Sequence, residues 1–155
     1  MKNYILLHNI RSSQNVGSIF RTADACGISK IFLSGYTPRP TDRFGREVSA
    51  ISKTALGAEK TIPWEYYSQP QSLIQNLKKE NVEIIAIEQA QNSVDYKKIK
   101  LKKETLFILG NEVEGVSQDI LDLCDKIAEI PMRGKKESLN VAVTAGVALF
   151  RILNI

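Results

Sequence analysis

Two kinds of apolar pattern alternate along the chain. Short runs rich in Val, Ile and Leu are typical of strands that are buried on both sides. Longer stretches, with apolar residues three or four positions apart, have the spacing of amphipathic helices. The pattern predicts strands at residues 4–8, 30–33, 59–63, 82–87, 105–109 and 126–130, and helices at residues 14–27, 47–56, 70–80, 115–123 and 139–153.

Strands that alternate with helices predict an α/β fold, with a mostly parallel sheet flanked by helices on both faces. In such sheets ligands bind at the carboxyl ends of the strands. Polar clusters follow four of the predicted strands, so we expect them to converge on one edge of the sheet. These clusters are residues 9–15, 88–91, 110–112 and 131–140.

The final helix, predicted at Leu139–Leu153, is apolar nearly all round and is interrupted chiefly by Thr144 and Arg151. A helix of this kind must be buried on more than one side, within its own domain or against another subunit. Ala142, Ala145 and Gly146 would let a partner helix come close. We therefore predict a homodimer that uses this helix.

Composition places the chain among ordinary globular proteins, with 43% hydrophobic and 25% charged residues. Its length suits one domain, predicted to span residues 1–155 without a separate RNA-binding domain. No signal peptide or membrane span is visible, so we expect a cytoplasmic protein. Cys26 and Cys124 lie among apolar neighbours and are interpreted as small core residues, and we predict no metal site.

The net charge of +4 favours a polyanionic partner such as RNA only modestly. The basic residues are unevenly placed, with arginines in and just after a Pro- and Gly-rich loop at 35–45 and a lysine cluster at 97–103. Either group could contact phosphates or form a solvated surface, and the second reading is favoured for the lysines. The arginines are Arg39, Arg43 and Arg46.

Asn15 and Arg21 are the first candidates for chemistry. Six residues of helix separate them by about 9 Å along the axis, and a long arginine side chain can reach back toward the helix start. Asn15 could simply cap the helix while Arg21 forms a surface salt bridge with Asp24. Alternatively, Arg21 is directed at a phosphate or a substrate oxygen.

Two further polar segments follow predicted strands. Gly110-Asn111-Glu112 is either an ordinary turn or a place where a ligand approaches the glycine backbone and a carboxylate orients donors. Ser138 and Asn140 precede the final helix and either cap it or line a binding site. His8 is the only histidine, so histidine-based catalysis is poorly supplied.

All three segments together resemble the motifs of one family, in the same order along the chain. Residues 15–25, NVGSIFRTADA, resemble the first motif of the SpoU/TrmH branch of the SPOUT RNA methyltransferases. Residues 109–115, LGNEVEG, are similar to the second motif, and residues 130–143, IPMRGKKESLNVAV, to the third. The resemblance extends from residue 9 to residue 153.

The resemblance implies a deep C-terminal trefoil knot, which is an exception to the rule that chains do not thread loops. It also implies a homodimer that uses S-adenosylmethionine to methylate a ribose 2′-OH of tRNA or rRNA. Carried over by position, the cofactor site comprises Ile87, Leu109, Gly110, Ile130, Met132, Ser138 and Leu139.

Arg21 matches the catalytic residue proposed for the family, although a guanidinium, with a pKa above about 12, is a poor base. We therefore expect Arg21 to bind a phosphate and stabilise negative charge on the 2′-oxygen, while water or the RNA phosphate receives the proton. The resemblance further implies that Asn15 orients Arg21 and that Glu112 fixes this network. Ser138 and Asn140 would shape the pocket.

The residues that contact RNA are harder to predict from the sequence. Arg39, Arg43 and Arg46 are the best candidates for phosphate binding, whereas Trp64 and its neighbouring tyrosines suit packing better than base stacking. A catalytically silent RNA-binding module would not need the full set of motif residues. A small-molecule methyltransferase would gain nothing from the arginines of the loop.

Overall fold

A computed structural model describes residues 1–155. Its seven strands are β1 Asn3–His8, β2 Lys30–Ser34, β3 Trp64–Tyr66, β4 Glu83–Ile87, β5 Val94–Asp95, β6 Thr105–Leu109 and β7 Lys126–Glu129. They form one sheet in the order β3-β2-β1-β6-β4-β7-β5. Every strand pair is parallel, as the sequence predicts. All seven strands therefore end at one edge of the sheet.

Six α-helices cover the two faces of this sheet. They are α1 Ser13–Ala25, α2 Ser49–Ala55, α3 Ala58–Thr61, α4 Pro70–Lys79, α5 Gln118–Leu121 and α6 Val141–Leu153. Successive strand residues point to opposite faces, so Ile5 and Leu7 join a core with α1, α2 and α6. Leu6 joins a second core with α4 and α5. The predicted α/β class is confirmed, whereas the knot stays a prediction.

Helix α6 is buried along one side only. Ala145, Ala148 and Leu149 pack into the core. Three large apolar side chains of the helix are exposed, at spacings of three and four residues that place them along one stripe. This exposed stripe comprises Val143, Val147 and Phe150, and Leu139, just before the helix, is exposed as well.

One predicted strand is wrong. Residues 59–63 lie in the short helix α3 and the turn after it, and the strand begins at Trp64. Leu56 and Gly57 both have left-handed backbone conformations, which end α2 and redirect the chain. The Glu59 carboxylate then accepts a hydrogen bond from the Gly57 N–H at 3.0 Å and favours a helical turn. Ile62 is the only Val, Ile or Leu among residues 59–63, so the apolar pattern gave this strand little support.

The helix predicted at residues 115–123 is also shorter in the structure, with a single turn at Gln118–Leu121. Ser117 occupies the predicted N-cap position, but its side chain accepts no capping hydrogen bond. Strand β5, at the far edge of the sheet, was not apparent from the apolar pattern. Cys26 is buried, Cys124 is half-buried and both are free thiols. None of the helices is long and apolar enough to cross a membrane.

Candidate active site

A cavity of about 290 Å³ lies where β4, β6 and β7 end. Its walls come from the ends of these strands, the turn after β6, the segment that follows β7 and the first turn of α6. The cavity therefore lies at the edge of the sheet where a ligand site was predicted. All seven residues that the family resemblance assigns to the cofactor lie in its wall: Ile87, Leu109, Gly110, Ile130, Met132, Ser138 and Leu139.

The cavity wall has a charge opposite to that of the whole chain. It contains four glutamates and no lysine or arginine, whereas the chain has a net charge of +4. The net negative charge of the wall disfavours a phosphate-bearing ligand and attracts a cationic one. The glutamates are Glu88, Glu112, Glu114 and Glu137.

The turn that follows β6 is built around Asn111, which is 7% exposed. Its side-chain oxygen accepts hydrogen bonds from the Val113 and Glu114 N–H groups, each at 2.8 Å. Its amide nitrogen donates to the Asn9 carbonyl at 3.0 Å and to the Tyr36 hydroxyl at 2.8 Å. Asn111 therefore joins this turn to the ends of β1 and β2. The sequence interpretation gave Asn111 no role of its own.

Glycine is required in this turn for a reason other than the one expected. A Cβ at Gly110 would lie 2.6 Å from backbone atoms of Gly115 and Val116. A Cβ at Gly115, whose φ is +71°, would lie 2.3 Å from a carboxylate oxygen of Glu88. The space that a side chain would occupy is thus filled by the turn itself and by Glu88, and not by a bound ligand.

Glu88 was not singled out from the sequence, although it opens the polar cluster that follows β4. Its carboxylate accepts hydrogen bonds from the Val116 N–H at 3.0 Å and from the Gln89 N–H at 2.8 Å. Gln89 in turn donates to the Glu137 carbonyl at 2.7 Å. These bonds connect three walls of the cavity.

Glu112 joins the turn to the start of α1. Its carboxylate accepts hydrogen bonds from the Arg11 N–H at 3.0 and 3.2 Å, from the Ser12 N–H at 3.2 Å and from the Asn15 side-chain amide at 3.3 Å. Backbone N–H groups at a helix start have no partner within the helix and carry partial positive charge. A carboxylate is therefore well suited to this position.

These hydrogen bonds also set the ionisation of Glu112. Partial burial, the largest single influence, raises its pKa, but the hydrogen bonds from the N–H groups of Arg11, Glu112 itself and Ser12 and from the Asn15 amide together outweigh it and lower the pKa below the usual value. Glu112 is thus an anion at neutral pH and accepts hydrogen bonds without donating any.

Asn15 and Asn140 extend the network to α6. The Asn140 amide nitrogen donates to the Asn15 side-chain oxygen at 3.2 Å. The Asn140 oxygen caps α6 by accepting from the N–H groups of Ala142 at 2.8 Å and Val143 at 3.3 Å. Asn140 therefore both caps the helix and connects two motifs. Ser138 is exposed in the cavity wall.

Arg21 is separated from this network. It is exposed beside a shallow hollow formed with residues of α2 and α3. The expected contact with Asn15 is wrong, because Asn15 bonds Glu112 and Asn140 instead. Six residues rotate the helix by about 240° beyond one full turn, so the two side chains leave different faces. The alternative salt bridge to Asp24 is not formed either.

The three arginines of the 35–46 region have different environments. The Arg39 guanidinium lies 3.6 Å from the centre of the Tyr66 ring, and Arg46 forms a salt bridge with Asp42 at 2.9 Å. Arg43 is exposed and has no carboxylate partner. Trp64, Tyr66 and Tyr67 pack partly against the two cores, as the favoured reading predicted.

The fold and cavity define an α/β protein with an acidic ligand site at the carboxyl edge of a parallel sheet. The SpoU rRNA Methylase family matches residues 2–150, and the chain belongs to this family. A tRNA (guanosine(18)-2′-O)-methyltransferase of Aquifex aeolicus is 29% identical over 146 residues, which cover 94% of this chain and 66% of that protein. The 23S rRNA (guanosine-2′-O-)-methyltransferase RlmB of Neisseria meningitidis is 30% identical, covering 94% and 55%.

Solved structures show the same fold. An AdoMet-bound rRNA methyltransferase from Sinorhizobium meliloti superposes with a TM-score of 0.88 and 30% identity, over 99% of this chain and 56% of that one. The Aquifex aeolicus TrmH/SpoU tRNA modifying enzyme gives a TM-score of 0.86 at 25% identity, over 99% and 74%. The chain thus spans between about half and two thirds of the length of the two named methyltransferases.

Proposed function

We propose that this chain catalyses transfer of a methyl group from S-adenosylmethionine to a ribose 2′-OH of tRNA or rRNA. The observation that carries the proposal is the joining of the three motifs, through Glu112, Asn15 and Asn140, at the edge of the acidic cavity. Asn15 bonds there with Glu112, which is 97 positions away in the chain, and with Asn140, which is 125 positions away. The tRNA and rRNA methyltransferases among the relatives support the same chemistry.

The cavity fits this cofactor. Ligand pockets usually measure about 300–1,000 Å³ and combine apolar walls with a few polar groups, and this cavity, at about 290 Å³, is close to the lower limit of that range. Ile87, Leu109 and Ile130 offer apolar surface for the adenosyl group, and the four glutamates suit a sulfonium cation. S-adenosylmethionine, when bound, supplies an activated methyl group. The chain's own residues hold and orient both reactants.

Arg21 is the residue we assign to the RNA backbone near the reacting hydroxyl. Its guanidinium is exposed and unpaired, so all five of its N–H donors remain available for a phosphate or for the 2′-oxygen as negative charge develops. It does not accept the hydroxyl proton. Water or an RNA phosphate oxygen takes that proton.

Because Arg21 does not line the cavity of its own chain, we assign its action to the cavity of a second copy. The exposed stripe on α6 is the surface that the second copy would cover, since an uncovered apolar face of this length is unfavourable in water. Arg21 belongs to α1, and α1 packs next to α6 in the same core. The homodimer thereby brings cofactor and arginine together.

Arg39 and Arg43 are proposed to bind phosphates of the RNA, since neither has a carboxylate partner. Arg46 adds positive charge but is engaged with Asp42, so its main contribution is to the order of the loop. This division refines the equal weight that the sequence gave to the three arginines.

Incubation with methyl-labelled cofactor and total tRNA or rRNA, followed by mapping of 2′-O-methylated nucleotides, tests the proposal. We expect label at a ribose 2′-oxygen of one or a few defined nucleotides. Binding of RNA without transfer would instead identify a silent RNA-binding module. Transfer to small molecules but to no RNA would identify a different class of methyltransferase, and either outcome would overturn the proposal.

A further inference from the structure

The tip of the loop between β2 and α2, residues 41–47, is an ordered turn. Thr41 and Glu47 form an isolated antiparallel bridge across its base. The Asp42 carboxylate accepts hydrogen bonds from the Phe44 N–H at 2.8 Å and from the Arg46 N–H at 3.0 Å. This tip turn is therefore held by its own hydrogen bonds.

Phe44 projects from the tip turn into solvent and is 66% exposed, more than any other aromatic residue of the chain. The phenylalanine contributes little to the core, so folding does not explain its presence. An aromatic ring on a fixed turn loses little conformational freedom when a ligand stacks on it, which favours binding.

Charge around the ring is arranged in a specific way. Two guanidiniums lie close to the Phe44 ring, that of Arg43 at 4.7 Å from the ring centre and that of Arg46 at 5.0 Å. Arg46 is neutralised by Asp42, and Glu47 is within 3.8 Å of Lys60. Arg43 is thus the charge of the tip turn that lacks an opposite partner.

We infer that Phe44 and Arg43 form a binding site for one unpaired nucleotide, with the base stacked on Phe44 and an adjacent phosphate on Arg43. Aromatic side chains stack on bases of any type, and arginine adds both charge and a planar surface. In duplex RNA the faces of a base are covered by its neighbours, so only loops, bulges and single strands offer a free face. The inference rests on the proposed function and narrows its substrate to RNA with an unpaired nucleotide near the target.

The tip turn is attached to the same edge of the sheet as the cavity. Thr37, at the start of the loop, bonds the Leu7 and Ser34 carbonyls at 3.0 and 2.8 Å. The hydroxyl of Tyr36 accepts from Asn111 of the cavity wall. A nucleotide held by Phe44 would therefore belong to the same RNA strand region as the ribose presented to the cavity.

The test uses the whole chain, a single-stranded oligoadenylate of about twelve nucleotides and inorganic polyphosphate as a probe of charge alone. We expect Phe44→Leu to weaken oligoadenylate binding by about tenfold, equal to about 1.4 kcal/mol, and to leave polyphosphate binding unchanged. Phe44→Trp should bind the oligonucleotide at least as well as the wild type, and its added fluorescence should be quenched. The wild type, with Trp64 alone, is the control for quenching.

The inference is overturned if Phe44→Leu binds oligoadenylate as the wild type does, or loses both ligands equally. Melting curves check that each variant is folded, and cofactor affinity, which should not change, checks the cavity. These readings do not depend on methyl transfer. A wild type that transfers no methyl group to RNA would refute the proposed function, whereas an active wild type with unaffected Phe44 variants would refute only the stacking site.

Discussion

The five motif residues to which the resemblance gives roles in the reaction occupy two regions that differ in how their side chains are engaged. Around the cavity, Glu112, Asn15 and Asn140 bond one another and the starts of α1 and α6. On another face of α1, Arg21 is exposed without a carboxylate partner. Ser138 lies in the cavity wall.

The difference separates a preorganised region from a reactive one. Side chains whose hydrogen bonds are already satisfied within the protein have little capacity left for a substrate, but they hold the cavity in shape. An arginine with all its donors available can bind an anion as soon as RNA arrives. We therefore expect losses of different kinds from changes in the two regions.

The largest effect is expected for Arg21→Ala. Removing a donor that stabilises developing negative charge lowers kcat by about 10²- to 10³-fold, whereas cofactor affinity should remain as in the wild type because Arg21 lies outside the cavity. Single-turnover transfer to the mapped RNA and calorimetric titration with cofactor measure the two quantities. Near-normal turnover would remove Arg21 from the mechanism.

Mixed dimers determine whether Arg21 acts on the other subunit. Thr144→Arg places a bulky cation in the cavity wall, and it should abolish cofactor binding. If Arg21 acts across the interface, an equal mixture of the Thr144→Arg and Arg21→Ala variants restores about a quarter of the wild-type sites. Half of the dimers then contain one chain of each variant, and each of these dimers has one intact site. Action within one chain restores none. Light scattering of the mixture checks that dimers are present.

A smaller effect is expected for Glu112→Gln. The amide can replace only part of the acceptor capacity of the carboxylate, so we expect a loss of about 1–3 kcal/mol in the free energy of unfolding and weaker cofactor binding. Glu114→Gln removes the same charge from the same cavity wall and is the matched control. Equal losses in the two variants would indicate that only cavity charge matters.

The pH dependence of this loss has a defined sign. The pKa of Glu112 is lowered in the folded chain, so the unfolded state binds more protons in the acid range and the contribution to stability is present above the unfolded pKa. It is lost as pH falls through the folded pKa. The difference in unfolding free energy between wild type and Glu112→Gln should be constant near neutral pH and shrink below about pH 4.

Sequence reasoning predicted much of this site because strand ends share an edge. The polar clusters after β4, β6 and β7 share one edge once the sheet is parallel, and the motif resemblance supplied the seven residues that line the cavity and are proposed to hold the cofactor. Individual hydrogen bonds were not predictable. The links from Glu112 to Asn15 and from Asn15 to Asn140 depend on strand order and helix rotation, which short-range patterns do not contain.

Two errors have physical causes that the sequence could have partly exposed. Axial rise brings Arg21 within reach of Asn15, but the rotation accumulated over six residues turns the side chains apart. The strand predicted at residues 59–63 contains a single Val, Ile or Leu residue, Ile62, while Gly57 and Glu59 set a helical turn there. In the first case one geometric criterion was satisfied while another decided the structure, and in the second the local turn decided it.

The smallest effect distinguishes two roles of Asn140. Asn140→Ala should lose the cap, at a cost of about 1 kcal/mol or about 2–4 °C in melting temperature. Asn140→Ser should keep the cap, since serine is an equally good N-cap residue, but both variants lose the hydrogen bond to Asn15. Calorimetric melting curves and the kcat/KM for RNA are measured for each.

If the bond to Asn15 holds the two motifs in register, Asn140→Ser melts like the wild type and still transfers methyl groups as slowly as Asn140→Ala. A serine variant with normal kcat/KM would show that Asn140 only caps α6. The hydrogen bond between Asn15 and Asn140 would then have no functional role. Glu112 and Asn15 would remain as the part that holds the cavity, because their hydrogen bonds do not pass through Asn140.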